Sequence, residues 1–222
     1  MTTDTRDGET KYYKFLHSDL THYGYTYQLG LNIDPVPFKS SGKYQRSGFN
    51  LTTLEHLFQY YDYGPYLGIV SLPPNTQIYQ EGSKLKVDQL ILEKVITCPH
   101  ELLEIFQNIR KKYVNHIMPR AMCPMAAKNG HLDVLKWARE NGCPWDELTC
   151  THAAMYGHLE VLKWARENGC PWDTDTCAYA AFNGHLDVLK WARENGCPWD
   201  ESTCMYAAKY GHLDVLKWAR EN

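Results

Sequence analysis

The phrase GHLDVLKWARENGCPWD occupies residues 130–146, returns at residues 157–173 with Glu in place of Asp at position 160, and returns again at residues 184–200. A fourth copy starts at Gly211 and runs to Asn222, short of its Gly-Cys-Pro-Trp-Asp. At about 100° per residue, Val134, Leu135, Trp137 and Ala138 fall in one arc and Asp133, Lys136 and Glu140 fall outside it, which predicts an amphipathic helix. Gly142 supplies a left-handed end and Pro144 cannot continue the helix. Asp146 then fits as N-cap of another helix over residues 147–156, closed by Gly157. One helix pair cannot bury its apolar face alone, so the copies must stack as a solenoid.

Composition sets the outer limits. With 44% hydrophobic and 22% charged residues the chain has globular proportions, which excludes disorder as the whole account. A formal net charge of -3 gives no basic footprint for phosphates, so nucleic acid is not an expected partner. No apolar run approaches the roughly 20 residues of a bilayer crossing, and the opening MTTDTRDGETKYYK is polar, unlike a signal peptide. The expectation is a cytoplasmic protein, not secreted and with no membrane partner. Of eight cysteines, seven, from Cys123 to Cys204, recur in phase with the repeat, which predicts reduced thiols packed in the core.

Ala153-Ala154-Met155-Tyr156-Gly157-His158 followed by Leu-Glu-Val-Leu-Lys resembles the ankyrin consensus A-A-x-x-G-H-x-x-V-V-x, and Gly169-Cys170 stands where ankyrins carry Gly-Ala. The unit is six residues shorter than the 33-residue ankyrin repeat. The shortfall lies between Gly142 and Ala153, where ankyrins build a β-hairpin finger, and the T-P-L-H motif is absent. The resemblance implies ankyrin-like helix pairs with trimmed fingers and a contact surface carried by the helices.

Residues 11–97 contain no repeat and read as a small α+β head, after a disordered stretch over residues 1–10. Strands are predicted near residues 12–16, 23–29, 67–72 and 89–92, with turn signals at Pro35, Ser41-Gly42 and Pro73-Pro74-Asn75. Thr52-Thr53-Leu54-Glu55 reads as a capping box ahead of a helix bearing Leu57 and Phe58. The stretches HYGYTYQLGLNIDPVPF, SGFNLTTLEHLFQYYDYGPYLGIVSLPPNTQIY and KVDQLIL resemble the module that precedes ankyrin repeats in proteins of mimivirus-type giant viruses. That resemblance implies a viral protein acting in the cytoplasm of an infected host cell. Residues 98–120, with apolar Leu102, Leu103, Ile105, Phe106, Ile109, Tyr113 and Ile117, predict a linking helix that caps the first repeat. Its CPHELLEIF also resembles the opening of an F-box, which would make the chain a ubiquitin-ligase adaptor.

The fold class expected is thus an α+β N-terminal domain followed by an all-α ankyrin-like solenoid over residues 121–222, its last repeat incomplete. No catalytic residue, cofactor or metal is expected. Six residues and a helix start separate Cys143 from Cys150, unlike zinc spacing, so these and nearby His152 and His158 read as packing. The alternative enzyme reading rests on a strand, helix, strand order similar to ADP-ribosyltransferase-like folds. It points to Tyr12, His17, Ser47 and Thr53, with Asp88 and Glu93 the nearest acids. The Gly-His histidines His131, His158, His185 and His212 are expected to hydrogen-bond the turn before each second helix.

Function is sought where the copies disagree. One column of variable positions reads Pro124, Thr151, Ala178 and Met205, and the next reads Met125, His152, Tyr179 and Tyr206. The third is Lys128, Met155, Phe182 and Lys209, and the fourth Asn129, Tyr156, Asn183 and Tyr210. Spaced at i, i+1, i+4 and i+5, they share one side of each first helix. The expected partner-binding residues are Met125, Lys128, His152, Met155, Tyr156, Tyr179, Phe182, Tyr206, Lys209 and Tyr210, a blend suited to a protein partner. Leu216 and Trp218, uncovered by a further repeat, suggest self-association as well.

Overall fold

Strand β1 (Tyr12–Leu16, YYKFL) sends alternate side chains to opposite faces of a sheet, and both faces are covered. In the computed structural model, which describes residues 5–6, 9–39, 47–113 and 119–222, this strand lies at the centre of the head. The remaining strands are β2 (Gly30–Ile33), β3 (Phe49–Thr52), β4 (Tyr66–Ser71), β5 (Ile78–Glu81), β6 (Lys84–Val87) and β7 (Gln89–Ile96). Among the described residues they form one antiparallel seven-stranded sheet in the order β2-β7-β4-β1-β3-β6-β5. One face gathers Leu16, Tyr27, Phe49, Leu51, Val70, Val87, Leu90 and Leu92. On the other, Phe15 meets Tyr61 of a 3-10 helix (Leu54–Tyr63) at 5.5 Å between rings.

That 3-10 helix stands where the capping box predicted an α-helix. Thr53 occupies the N-cap but its side chain makes no cap bond, and Thr52 is held as the last residue of β3, its hydroxyl donating to the backbone oxygens of Thr53 and Ser83. Residues 23–29, expected as a strand, instead hold half of a two-residue ribbon, Thr21–His22 against Tyr25–Thr26, turning through Tyr23 and Gly24 at φ 51° and 78°. Residues 1–10, expected to be disordered, contain a small ribbon pairing Thr5–Arg6 with Glu9–Thr10. The Ser41-Gly42 turn lies outside the described residues.

The predicted linking helix is α1 (Pro99–Lys112), with Pro99 in its first turn, where a missing N–H costs nothing. Its buried face packs on the head: Phe106 stands 5.2 Å from both Phe58 and Tyr61. The apolar spacing forecast the helix as a cap on the first repeat, whereas its described contacts are with the head and α1 falls within the unit Met1–Ile117. Ile117 lies outside the described residues.

The second unit, Met118–Asn222, is wholly helical among its described residues. First helices α2 (Met122–Lys128), α4 (Glu147–Met155), α6 (Thr174–Phe182) and α8 (Glu201–Tyr210) alternate with second helices α3 (Leu132–Glu140), α5 (Leu159–Glu167), α7 (Leu186–Glu194) and α9 (Leu213–Glu221). Asp146, Asp173 and Asp200 cap the first helices, each accepting from the backbone N–H two residues on. The second helices bury the valine, the alanine and in most copies the leucine of the repeated phrase, and of their tryptophans Trp137 alone is buried. The cysteines are free thiols, and Cys143, Cys170 and Cys197 each donate through Sγ to a carbonyl of the preceding unit, those of Pro119, Asp146 and Asp173, at 3.3 to 3.5 Å.

Candidate functional site

The first three variable columns lie on α2, α4, α6 and α8, which pack side by side in chain order, and the fourth lies at their C-terminal ends. The first column is not surface: Pro124, Thr151 and Ala178 are buried against neighbouring helices, and only Met205 is exposed. Position i faces the neighbouring first helix, so its variation is packing variation. The other columns are partly or fully exposed. Met125, Lys128, His152, Met155, Tyr179, Phe182 and Tyr206 are half-buried, while Tyr156, Lys209 and Tyr210 are exposed.

These side chains touch across repeats. Phe182 lies 4.1 Å from Tyr210 and 5.7 Å from Tyr206 between ring centroids, and Tyr179 stacks on Tyr206 at 6.2 Å. Four rings from two helices thus form one aromatic patch, with 43% of Tyr210 open to solvent. In the earlier copies Lys128 Nζ stands 5.8 Å from the Tyr156 ring, whose face attracts a cation. His152 is tied down by a bond between Nδ1 and the Pro124 oxygen at 3.1 Å, and Asn183 donates to the Met155 oxygen. Burial holds the His152 imidazole below its usual pKa.

Expected at the turn before their own second helix, the side-chain bonds of His158 and His212 run one copy back instead. His158 Nε2 reaches the Lys128 oxygen at 3.0 Å, and His212 Nε2 the Phe182 oxygen at 2.9 Å, each thirty residues back at the end of the preceding first helix. His131 is buried and held neutral, its pKa pushed down to about 4 by desolvation.

A second feature, unread in the sequence, crosses the repeats elsewhere. Arg139, Arg166 and Arg193 lie over Trp145, Trp172 and Trp199 at 4.0 to 4.3 Å. Each of those tryptophans packs edge-on against a tryptophan of the next second helix, Trp164, Trp191 and Trp218. The signal was present, since Arg and Trp recur six residues apart in every complete copy.

The residues of the enzyme reading do not converge. Tyr12 packs on the sheet core, His17 is exposed, and the buried Ser47 hydroxyl accepts from the Lys39 backbone and Lys86 Nζ. Asp88 accepts from Gln77, and Glu93 pairs with Lys11 at 2.6 Å. Among the described residues no group of three or more His, Cys, Asp or Glu is placed to hold a metal, and no helix is long and apolar enough to cross a membrane.

Consecutive antiparallel helix pairs, each joined to the last by backbone-directed side chains, define a helical solenoid. Residues 123–165, 150–193 and 177–220 match a family model for ankyrin repeats in many copies, and this part of the chain carries ankyrin repeats. Ankyrin repeats are in general protein-interaction modules. No curated protein matches the chain.

Proposed function

We propose that the chain binds another protein through the variable face of its repeats and performs no chemistry of its own. The observation that carries this is the patch of Tyr179, Phe182, Tyr206 and Tyr210, four rings clustered across two repeats and open to solvent in part. Large rings held rigid by one another lose little entropy on docking, and such anchors dominate protein interfaces. Met125, Lys128, His152, Met155, Tyr156 and Lys209 extend the same face.

The head's resemblance to the module of giant-virus ankyrin proteins supports a viral protein that meets its partner in the cytoplasm of an infected cell. A ubiquitin-ligase adaptor would be one form of such a binder. The transferase alternative draws less support, because none of Tyr12, His17, Ser47 and Thr53 lines the pocket formed by Lys14, His22, Tyr60 and Tyr63 in the head.

The test is affinity capture from host-cell extract with the full chain and with Tyr206→Ala/Tyr210→Ala. A protein retained by the first and lost from the second, at matching circular dichroism, supports the reading. Equal retention by both sinks it.

A further inference from the structure

Lys14 sits in the middle of the central strand, is 5% exposed, and has no carboxylate beside it among the described residues. Its Nζ lies 2.7 Å from His22 Nδ1 and donates to the Asn50 oxygen at 3.1 Å. With Lys14 charged, Nδ1 must accept, which leaves the proton of the imidazole on Nε2. Nε2 is buried and finds no acceptor among the described residues. Two neighbouring groups therefore hold hydrogen-bond donors that the protein leaves partly unanswered.

Both residues line an open pocket in the head, with an empty volume of about 380 Å³ counting its mouth. Aromatic rings supply much of its wall: Tyr23 stacks on His22 at 4.3 Å, and Tyr63 meets it edge-on at 5.6 Å. Lys84 Nζ stands 5.5 Å and 5.8 Å from the rings of Tyr60 and Tyr63. The charged or titratable groups that face Lys14 and His22 are His17, Tyr23, Tyr27, Tyr63 and Lys84, and no acid lines the pocket among the described residues.

We propose that this pocket binds a small carboxylate carried on a flat aromatic body, the carboxylate taken by Lys14 and His22 and the ring by the tyrosines. A donor-rich described lining without an acid selects an anion. One buried ammonium is balanced by a single negative charge rather than by a dianion. The tyrosine walls select a planar apolar remainder.

The site carries its own signature. Desolvation pushes the Lys14 amine down to about 7, so it is largely neutral in mildly alkaline solution. An arriving carboxylate favours the ammonium, and binding there must take up a proton. The proposal stands apart from the binding role of the repeats.

Calorimetric titration of the full chain with benzoate, in buffers of different ionisation heat, tests it. About one proton should be taken up per benzoate near pH 8.5 and almost none near pH 5.5. Benzamide, which keeps the ring and loses the charge, should bind at least about tenfold more weakly, as should inorganic phosphate. Lys14→Met, which fills the same space without a charge, should abolish benzoate binding and leave the far-ultraviolet spectrum unchanged. Absence of benzoate binding, equal binding of benzamide or phosphate, no proton uptake near pH 8.5, or full binding by the folded Lys14→Met chain would each overturn the assignment.

Discussion

His212 Nε2 lies 2.9 Å from the carbonyl oxygen of Phe182, and the same ring closes over Gly184, whose hypothetical Cβ would fall 2.5 Å from Nδ1. A glycine that ends the first helix of one pair is thus also the floor on which the next pair's histidine rests. Gly184 has φ +73°, a conformation that L side chains rarely adopt.

Two glycine substitutions separate the effects of backbone and contact. Gly169 has φ +83° and nothing within 4 Å of an added Cβ, so Gly169→Ala should cost about 1 kcal/mol from backbone strain alone. Gly184→Ala adds the clash with His212 and should cost on the order of 2 kcal/mol or more. Urea melts of the two variants check this, and equal costs would mean the histidine moves aside freely.

Acid should loosen the repeats before their carboxylates titrate. His131 has a folded pKa near 4 against an unfolded value of 6.5, so the unfolded chain binds the extra proton between them. Its contribution is complete above about pH 6.5 and is lost as pH falls through about 4, a loss of roughly 2 kcal/mol by pH 5. His152 and His158, also held low by burial, act in the same direction. Denaturant melts from pH 7.5 to pH 5 should show the decline, and His131→Leu should reduce its slope.

The head should behave oppositely to most domains on the alkaline side. Lys14 has a folded pKa of about 7 against 10.5 unfolded, so stability is present above about pH 10.5 and lost as pH falls through 7. From pH 7.5 to pH 9 the head should gain about 1 kcal/mol per pH unit. Lys14→Met should melt higher at pH 7 and lose this gain, which thermal scans at the two pH values would show.

On the variable face, Tyr179→Ala with Phe182→Ala removes contacts with Tyr206 and Tyr210 as well as exposed surface. The pair should lower stability by about 1–2 kcal/mol, while partner affinity falls by on the order of 2 kcal/mol or more. Lys209→Ala, exposed at the edge, should change binding little. If the melting loss matches that of Trp191→Ala, the rings serve packing and the face is no anchor.

The repeats were legible because their physics is periodic. The spacing of Val134, Leu135 and Ala138 gave α3, and Asp146 and Gly157 gave the ends of α4. What a single repeat cannot disclose is which side chains cross to the next copy, so the buried column of Thr151 and Ala178 read as surface, and the reach of His158 to Lys128 went unread. In the head, β1 was read at its observed ends, whereas β5 and β6, each four residues around Gly82, carry too short an alternation to stand out. The burial of Lys14 depends on a ribbon turned by Tyr23 and Gly24, a local conformation that the charge of a lysine argues against.

Among the described residues, the side-chain links that cross between repeats span one boundary: histidines reach back thirty residues and cysteines twenty-four, into the neighbouring copy. None of these links counts how many other copies exist. A whole 27-residue unit can therefore be duplicated or deleted within the run with these interfaces re-forming in register, so the length of the variable face is free to drift across generations while its local geometry is preserved.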